Sequence, residues 1–298
     1  MPGCVPLAPS NIRLAAQRGR RPPPIAHRCP AHTCGRPCRR GLPTRHFHIR
    51  EPAVTTHIGE IAVVVPARNE AQLLPNALTS LEAAMAHFAW KVSIPTSLTV
   101  VLDRTSDNSA QIVAHHPKVL LRHTSAGRVG AARNVGITAA MSLAKVPPAH
   151  LWIANTDADS MVPADWLWRH YGLAMAGAHV VAGTVEPVHV DLSSAALARW
   201  FACHDLSEGH PHIHGANLGF RAEVFTKLGG FSDQSLHEDR DFVAKARTQG
   251  YAVMATDSCR VTTSGRRHSR VDGGFADFLN QLDNGGERTD PSATSSHC

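Results

Sequence analysis

The stretch Ile61–Val65, IAVVV, has no polar interruption and is rich in β-branched side chains, the pattern of a strand covered on both faces. It closes at Pro66, and the period then changes. Leu74, Leu78, Leu81 and Met85 fall on one stripe, which predicts a helix over 71–87. The same reading gives a strand at SLTVVLD, a helix at SDNSAQIVAHH, a strand at KVLLRH, a helix at GRVGAARNVGITAAMSLA and a strand at HLWIANTD. Strand and helix alternate with short links. That alternation predicts βαβ units and a mostly parallel α/β sheet with helices on both faces.

Beyond Asp159 the pattern loosens. VPADWLWRHYGLAMAG reads as a helix, HVVAGTVEPVHV as a strand, SSAALARWFACHDL as a helix and HGANLGFR as a short strand. AEVFTKLGG follows as a helix closed by Gly229. HEDRDFVAKARTQG is an amphipathic helix opening on acids, and YAVMATDS is a last strand. This half is expected to be mixed and to offer a surface for a second substrate. The last residues, GGERTDPSATSSHC, read as a frayed end.

Composition changes the picture at one end. The net charge of +6 is misleading, because residues 1–50 hold ten arginines and no acid, while residues 51–298 carry 20 basic and 24 acidic side chains, a balance of −4. Nine of the 20 prolines and four of the seven cysteines also lie in those first 50 residues. The expectation is a disordered basic tail over 1–55, a folded domain over 56–265 and a partly disordered extension over 266–298. Cys29, Cys34, Cys38 and His32 lack the paired short knuckles of a structural zinc site. No nucleic-acid partner is expected, since the tail has only Phe47 as an aromatic platform. No apolar run reaches the ~18 residues that would suggest a bilayer span, so a soluble, cytoplasmic protein is expected, with peripheral membrane contact left open.

The chemistry gathers at strand ends. In open sheets of this kind ligands sit at the carboxyl ends of the strands, and three of those ends carry polar clusters: PARNE, DRTSDN and NTDADS. Asp157 and Asp159 stand two apart just past a strand, so in extended geometry they face one side. Two hard carboxylates on one side suit Mg²⁺ or Mn²⁺; as alternatives, Asp157 could cap a turn or pair with Arg128 or Arg133. AGRVGAARN sets small residues and guanidinium groups near a helix start, which fits either a phosphate or tight packing. Asp103 could accept bonds from a base or ribose, or cap a turn. Glu238, Asp239 and Asp241 could complement a helix dipole or supply a general base. His210, His212 and His214 alternate in a manner expected of exposed polar residues, and no acid or cysteine completes a zinc set with them. Neither GxGxxG after a strand nor GxxxxGK[ST] occurs, so a dinucleotide fold and a P-loop are not supported.

Taken in order and spacing, IAVVVPARNE, VVLDRTSDNS, AGRVGAARNVG, NTDADS, HGANLGFR and HEDRDF resemble the family 2 glycosyltransferases of the GT-A fold, over about residues 58–257. The resemblance implies a Rossmann-like nucleotide-binding half, 56–160, and a mixed acceptor half, 161–265. It implies a nucleotide-sugar donor, with Pro66, Ala67, Arg68 and Glu70 at the base and ribose, Asp103 on the base, and Arg128 and Arg133 beside the nucleotide. Asp157 and Asp159 look like the family's DxD, with Asp159 on the metal and Asp157 on ribose or metal. Asp239 matches its general base, with Glu238 its acidic neighbour, and Gly215, Ala216 and Asn217 would border the acceptor. The implied reaction is hexosyl transfer with inversion, assisted by Mg²⁺ or Mn²⁺, to an acceptor that is a small molecule, a lipid carrier or a glycan. The chain lacks the QxxRW motif and membrane helices of processive members. In TSGRRHSR, Arg266, Arg267 or His268 could touch diphosphate or metal. The alternatives are a nucleotidyltransferase, which would want a Gly-rich loop after the first strand, and a non-catalytic nucleotide-binding relative.

Overall fold

The computed structural model describes residues 57–266 and 278–280. The basic tail with its cysteines, Arg267, His268 and the C-terminal end of the chain lie outside the described residues.

The apolar runs become strands where they were expected. β1 (Glu60–Ala67), β2 (Thr96–Asp103), β3 (Val119–Thr124) and β4 (Leu151–Asn155) alternate with α1 (Leu74–Lys91), α2 (Ser109–Ala114) and α3 (Val129–Leu143). The second half adds β5 (Ser160–Met161), α4 (Trp166–Met175), β6 (Val180–Pro187), α5 (Ser194–Cys203), β7 (Leu218–Arg221), α6 (Ala222–Leu228), α7 (Glu238–Thr248) and β8 (Val253–Thr263). α1 starts three residues later than expected because Pro75 fills its first turn, where a missing N–H costs nothing. It also runs one turn longer.

Eight strands form one sheet in the order β3-β2-β1-β4-β7-β6-β8-β5. β1 lies parallel to β2 and β4, and β2 to β3. β7 is antiparallel to both β4 and β6, and β8 is parallel to β6. Two reversals restore direction, so β8 points the same way as β1, β2 and β4. Its carboxyl end therefore reaches the same edge.

The central strand explains why its sequence has no polar break. Ile61, Val63 and Val65 pack into one core with Leu74, Leu78, Leu81, Phe88, Trp166 and Trp200. Ala62 and Val64 pack into the other with Ile137, Phe220, Phe231 and Phe242. At ~25 cal/mol per Å² of apolar area, covering both faces makes β1 a strong contributor to the fold. Among the described residues, no helix is long and apolar enough to cross a membrane.

Candidate active site

The loops after β1 and β2 are stitched together before any ligand is considered. Asn69, at a positive φ of 53°, accepts the Ser106 N–H at 2.8 Å. Asp107 accepts the Ala71 N–H at 2.8 Å and the Ser109 hydroxyl at 2.6 Å, while Ser109 Oγ accepts the Glu70 N–H at 3.1 Å. Asp107 and Ser109 were not singled out from sequence, although DRTSDNS carries the Asx pattern that would have found them. Pro66 and Ala67 end β1 in the interior, and Arg68 is exposed. Asp103, buried at the end of β2, accepts the Gly127 N–H at 2.9 Å. Gly127 sits at φ +73° with the Arg104 guanidinium where a Cβ would fall, so a side chain there would be both strained and blocked.

α3 lies unusually close to the sheet. A Cβ on Gly136 would come within 2.5 Å of Val64, and one on Gly130 within 2.9 Å of Glu238. The small residues of AGRVGAARN thus serve packing. That approach carries Arg133, 2 % exposed, into the site, where one amino group binds Asp157 at 2.7 Å and the other binds Glu238. Burial opposes its charge, but Asp157 and Glu238 outweigh it and raise its proton affinity. Asn134, the next residue, holds the backbone N–H and C=O of Phe231 at 2.9 Å each and so sets the loop that leads into α7. Arg128 is paired with Asp233 on the surface at 2.7 Å.

Arg266, delivered by β8, binds both oxygens of Glu70 at 2.7 and 2.8 Å and Asp159 at 2.9 Å. Asp159 is pushed up to about 6, chiefly by burial; Arg266 pulls it down, while Asp157 and Glu70 add to the rise. Among the described residues no three His, Cys, Asp or Glu side chains form a ready-made metal cage.

At the start of α7, Glu238 is buried against Arg133 whereas Asp239 is partly exposed. Asp239 accepts the Gly215 N–H at 2.7 Å and the Arg240 N–H at 2.8 Å. Burial raises the proton affinity of both acids, and Arg133 opposes the rise in both. Gly215 is wedged against Arg133, since a Cβ there would meet its guanidinium at 2.5 Å. Ala216 is buried beside it. Asn217 is occupied in the interior: its side chain accepts from Trp166 Nε1 at 2.9 Å and donates to the carbonyls of Thr184 and Cys259 at 2.8 Å each.

The alternating histidines are not exposed as expected. His210, His212 and His214 are buried, and His212 stacks on His204 with centroids 4.9 Å apart, which in turn stacks on Trp200. Flat imidazole rings pack as aromatics here. His210 is held below its usual range, first by burial.

One edge therefore gathers Glu70, Asp103, Asp157, Asp159, Arg266, Gly215, Glu238 and Asp239. The side chain of Asn217 is turned to the interior, and Arg128 is paired with Asp233.

A family model described as Glycosyl transferase family 2 matches residues 62–235, from β1 to the loop before α7. No curated protein sequence matches the chain. Among solved structures, the mannosyltransferase PcManGT from Pyrobaculum calidifontis, in complex with GDP-Man and Mn²⁺, is similar at a TM-score of 0.51 and 19% identity, over 76% of this chain and 70% of that one. S. aureus TarS 1-349 is similar at 0.51 and 14% identity, over 75% and 69%. Against S. aureus TarS itself, at 0.50 and 15% identity, the match spans 75% of this chain but only 42% of that chain. The six motifs, the eight-stranded mixed sheet and the family match agree: the chain belongs to glycosyl transferase family 2 and is a glycosyltransferase.

Proposed function

We propose that the enzyme moves a hexose from a nucleoside-diphosphate sugar to an acceptor hydroxyl, with inversion, and that Asp239 is the general base. The observation that carries this is the divergent fate of two adjacent acids. Glu238 is neutralised by Arg133 and sealed in, whereas Asp239 is steered by two backbone N–H groups, partly open, and raised in proton affinity by burial. A base gains from a higher proton affinity as long as it stays ionised at the working pH. The acceptor hydroxyl passes its proton to Asp239 as its oxygen bonds the anomeric carbon. The bond to the diphosphate breaks on the opposite face, and its electron pair leaves with the diphosphate.

The donor would lie over 56–160, with Pro66, Ala67, Arg68, Glu70 and Asp103 toward the base and ribose. The acceptor, a small molecule, a lipid carrier or a glycan, would approach over 161–265 beside Gly215 and Ala216. The donor set suits Mg²⁺ or Mn²⁺: both commonly take one or two carboxylates and complete their shell with water and phosphate oxygens. Asp157 and Asp159 would hold the ion; burial raises the proton affinity of Asp159 even with Arg266 beside it. When bound, the ion would offset negative charge on the leaving diphosphate. The same fold in PcManGT, seen with GDP-Man and Mn²⁺, supports this reading. The nucleotidyltransferase alternative is disfavoured by PARNEAQ, which has no glycine after β1.

Asp239→Asn tests the base. Turnover should fall by ~10²–10⁴, the usual weight of general base catalysis, while nucleoside-diphosphate binding stays within about twofold. In the parent enzyme, activity should fall on the acid side at a pH above the ordinary aspartate value of about 4. Activity surviving in the variant would move the base elsewhere.

A further inference from the structure

Arg266 stands where a cation is wanted. Its guanidinium spans two strand ends, binding Glu70 beyond β1 through two parallel bonds and Asp159 beyond β4 through one. The other oxygen of Asp159 faces the hydroxyls of Ser160 at 3.3 Å and Thr263 at 3.5 Å. Both oxygens of the carboxylate best suited to a metal are thus engaged by the chain itself.

The attachment of Arg266 is that of a movable arm. Its backbone N–H is fixed to Ser264 Oγ at 3.2 Å, and the neighbouring Gly265 N–H to Asp191 at 2.9 Å. The side chain is 30% exposed, so it can leave Asp159 without unpacking a core. An ion on Asp159 would lie within a few ångströms of the guanidinium, and in a partly buried site the repulsion between the two cations is substantial.

We propose that Arg266 is a built-in counter-ion of the metal site, which a divalent ion must displace from Asp159. In the ion-free enzyme the arm neutralises Asp159 and closes Glu70. Loading the ion turns the guanidinium away from Asp159, and its two bonds to Glu70 give it a place to stay. The proposal rests on the reading of Asp157 and Asp159 as ion ligands.

Mn²⁺ binding without nucleotide, followed by the loss of the free-ion electron paramagnetic resonance signal, separates the two ideas. Arg266→Ala, or Arg266→Gln if the first is poorly folded, should bind Mn²⁺ at least about tenfold more tightly than the parent chain. Adding Asp159→Asn should remove that gain. Equal affinity in the parent and the Arg266 variants would overturn the counter-ion role and leave the ion ligands standing. Absence of Mn²⁺ binding in parent and variants alike would overturn both.

Discussion

At the scale of single residues, Arg133 is the centre of the site. It is a buried cation joining an acid at the end of β4 to an acid at the start of α7, and so it fixes how far the donor side stands from the proposed base. Breaking a buried ion pair from one side costs about 3–5 kcal/mol, because the remaining charge is stranded. Arg133→Met should therefore lower unfolding free energy by about that amount in urea titrations. Adding Glu238→Gln should return part of it by removing the stranded charge; a double variant no more stable than the single would contradict the account. The acids of this site were legible in the sequence because charge at the end of an apolar run needs a reason. Of their partners only Arg133 was, as one of the two arginines open to Asp157. Arg133 and Glu238 are 105 residues apart, and Arg266 and Glu70 are 196 apart, so no local pattern joins them. Reading Arg133 as a cation near the nucleotide found the residue, but its contacts in the structure are two carboxylates.

At the scale of elements, long apolar periods were readable and short or packed pieces were not. β1 and α3 follow from their runs. β5 has two residues and no period, and β8 runs on through CRVTT, where alternating polar residues hid a continuing strand. The histidine segment was misjudged because its His212 stacks on His204, which is itself stacked on Trp200 of α5. α4 shows the same effect in His170, which is fully buried and lies 3.3 Å from Asn217 Oδ1. An amide oxygen only accepts, so His170 Nε2 is the donor, while the buried Nδ1 has no partner among the described residues and burial keeps the ring neutral. Burial lowers its pKa from 6.5 to about 4. Below 6.5 the unfolded chain takes up a proton that the folded chain refuses, so this contribution to stability is complete above 6.5 and drains away as the pH falls toward 4. The shift is worth about 3 kcal/mol in all. His170→Gln should be less stable at pH 7 yet lose less stability between pH 7 and 4.5, by urea titration at each pH. Equal losses in both proteins would contradict the assignment. His210 is also held low, so the slope should shrink rather than vanish.

At the scale of the molecule, the alternation of strands and helices pointed to the parallel half, and the looser second half pointed to a mixed one. The strand order was not legible. It is set by which strand pairs with β4, and that choice rests on contacts such as Ile153 with Phe220 across 67 positions. Two antiparallel steps through β7 turn the chain around so that β8 delivers Arg266 to the edge where β1, β2 and β4 end. The sheet thereby brings to one edge motifs scattered from Pro66 to Arg266. The central claim is that this edge holds a nucleoside diphosphate through a divalent ion. Calorimetric titration of UDP and GDP into the full chain, with Mn²⁺ and again in EDTA, tests it most directly. The account predicts that one of the two binds with Mn²⁺ and at least about tenfold more weakly in EDTA. Equal affinity in EDTA, or binding of neither nucleotide under both conditions, would contradict it.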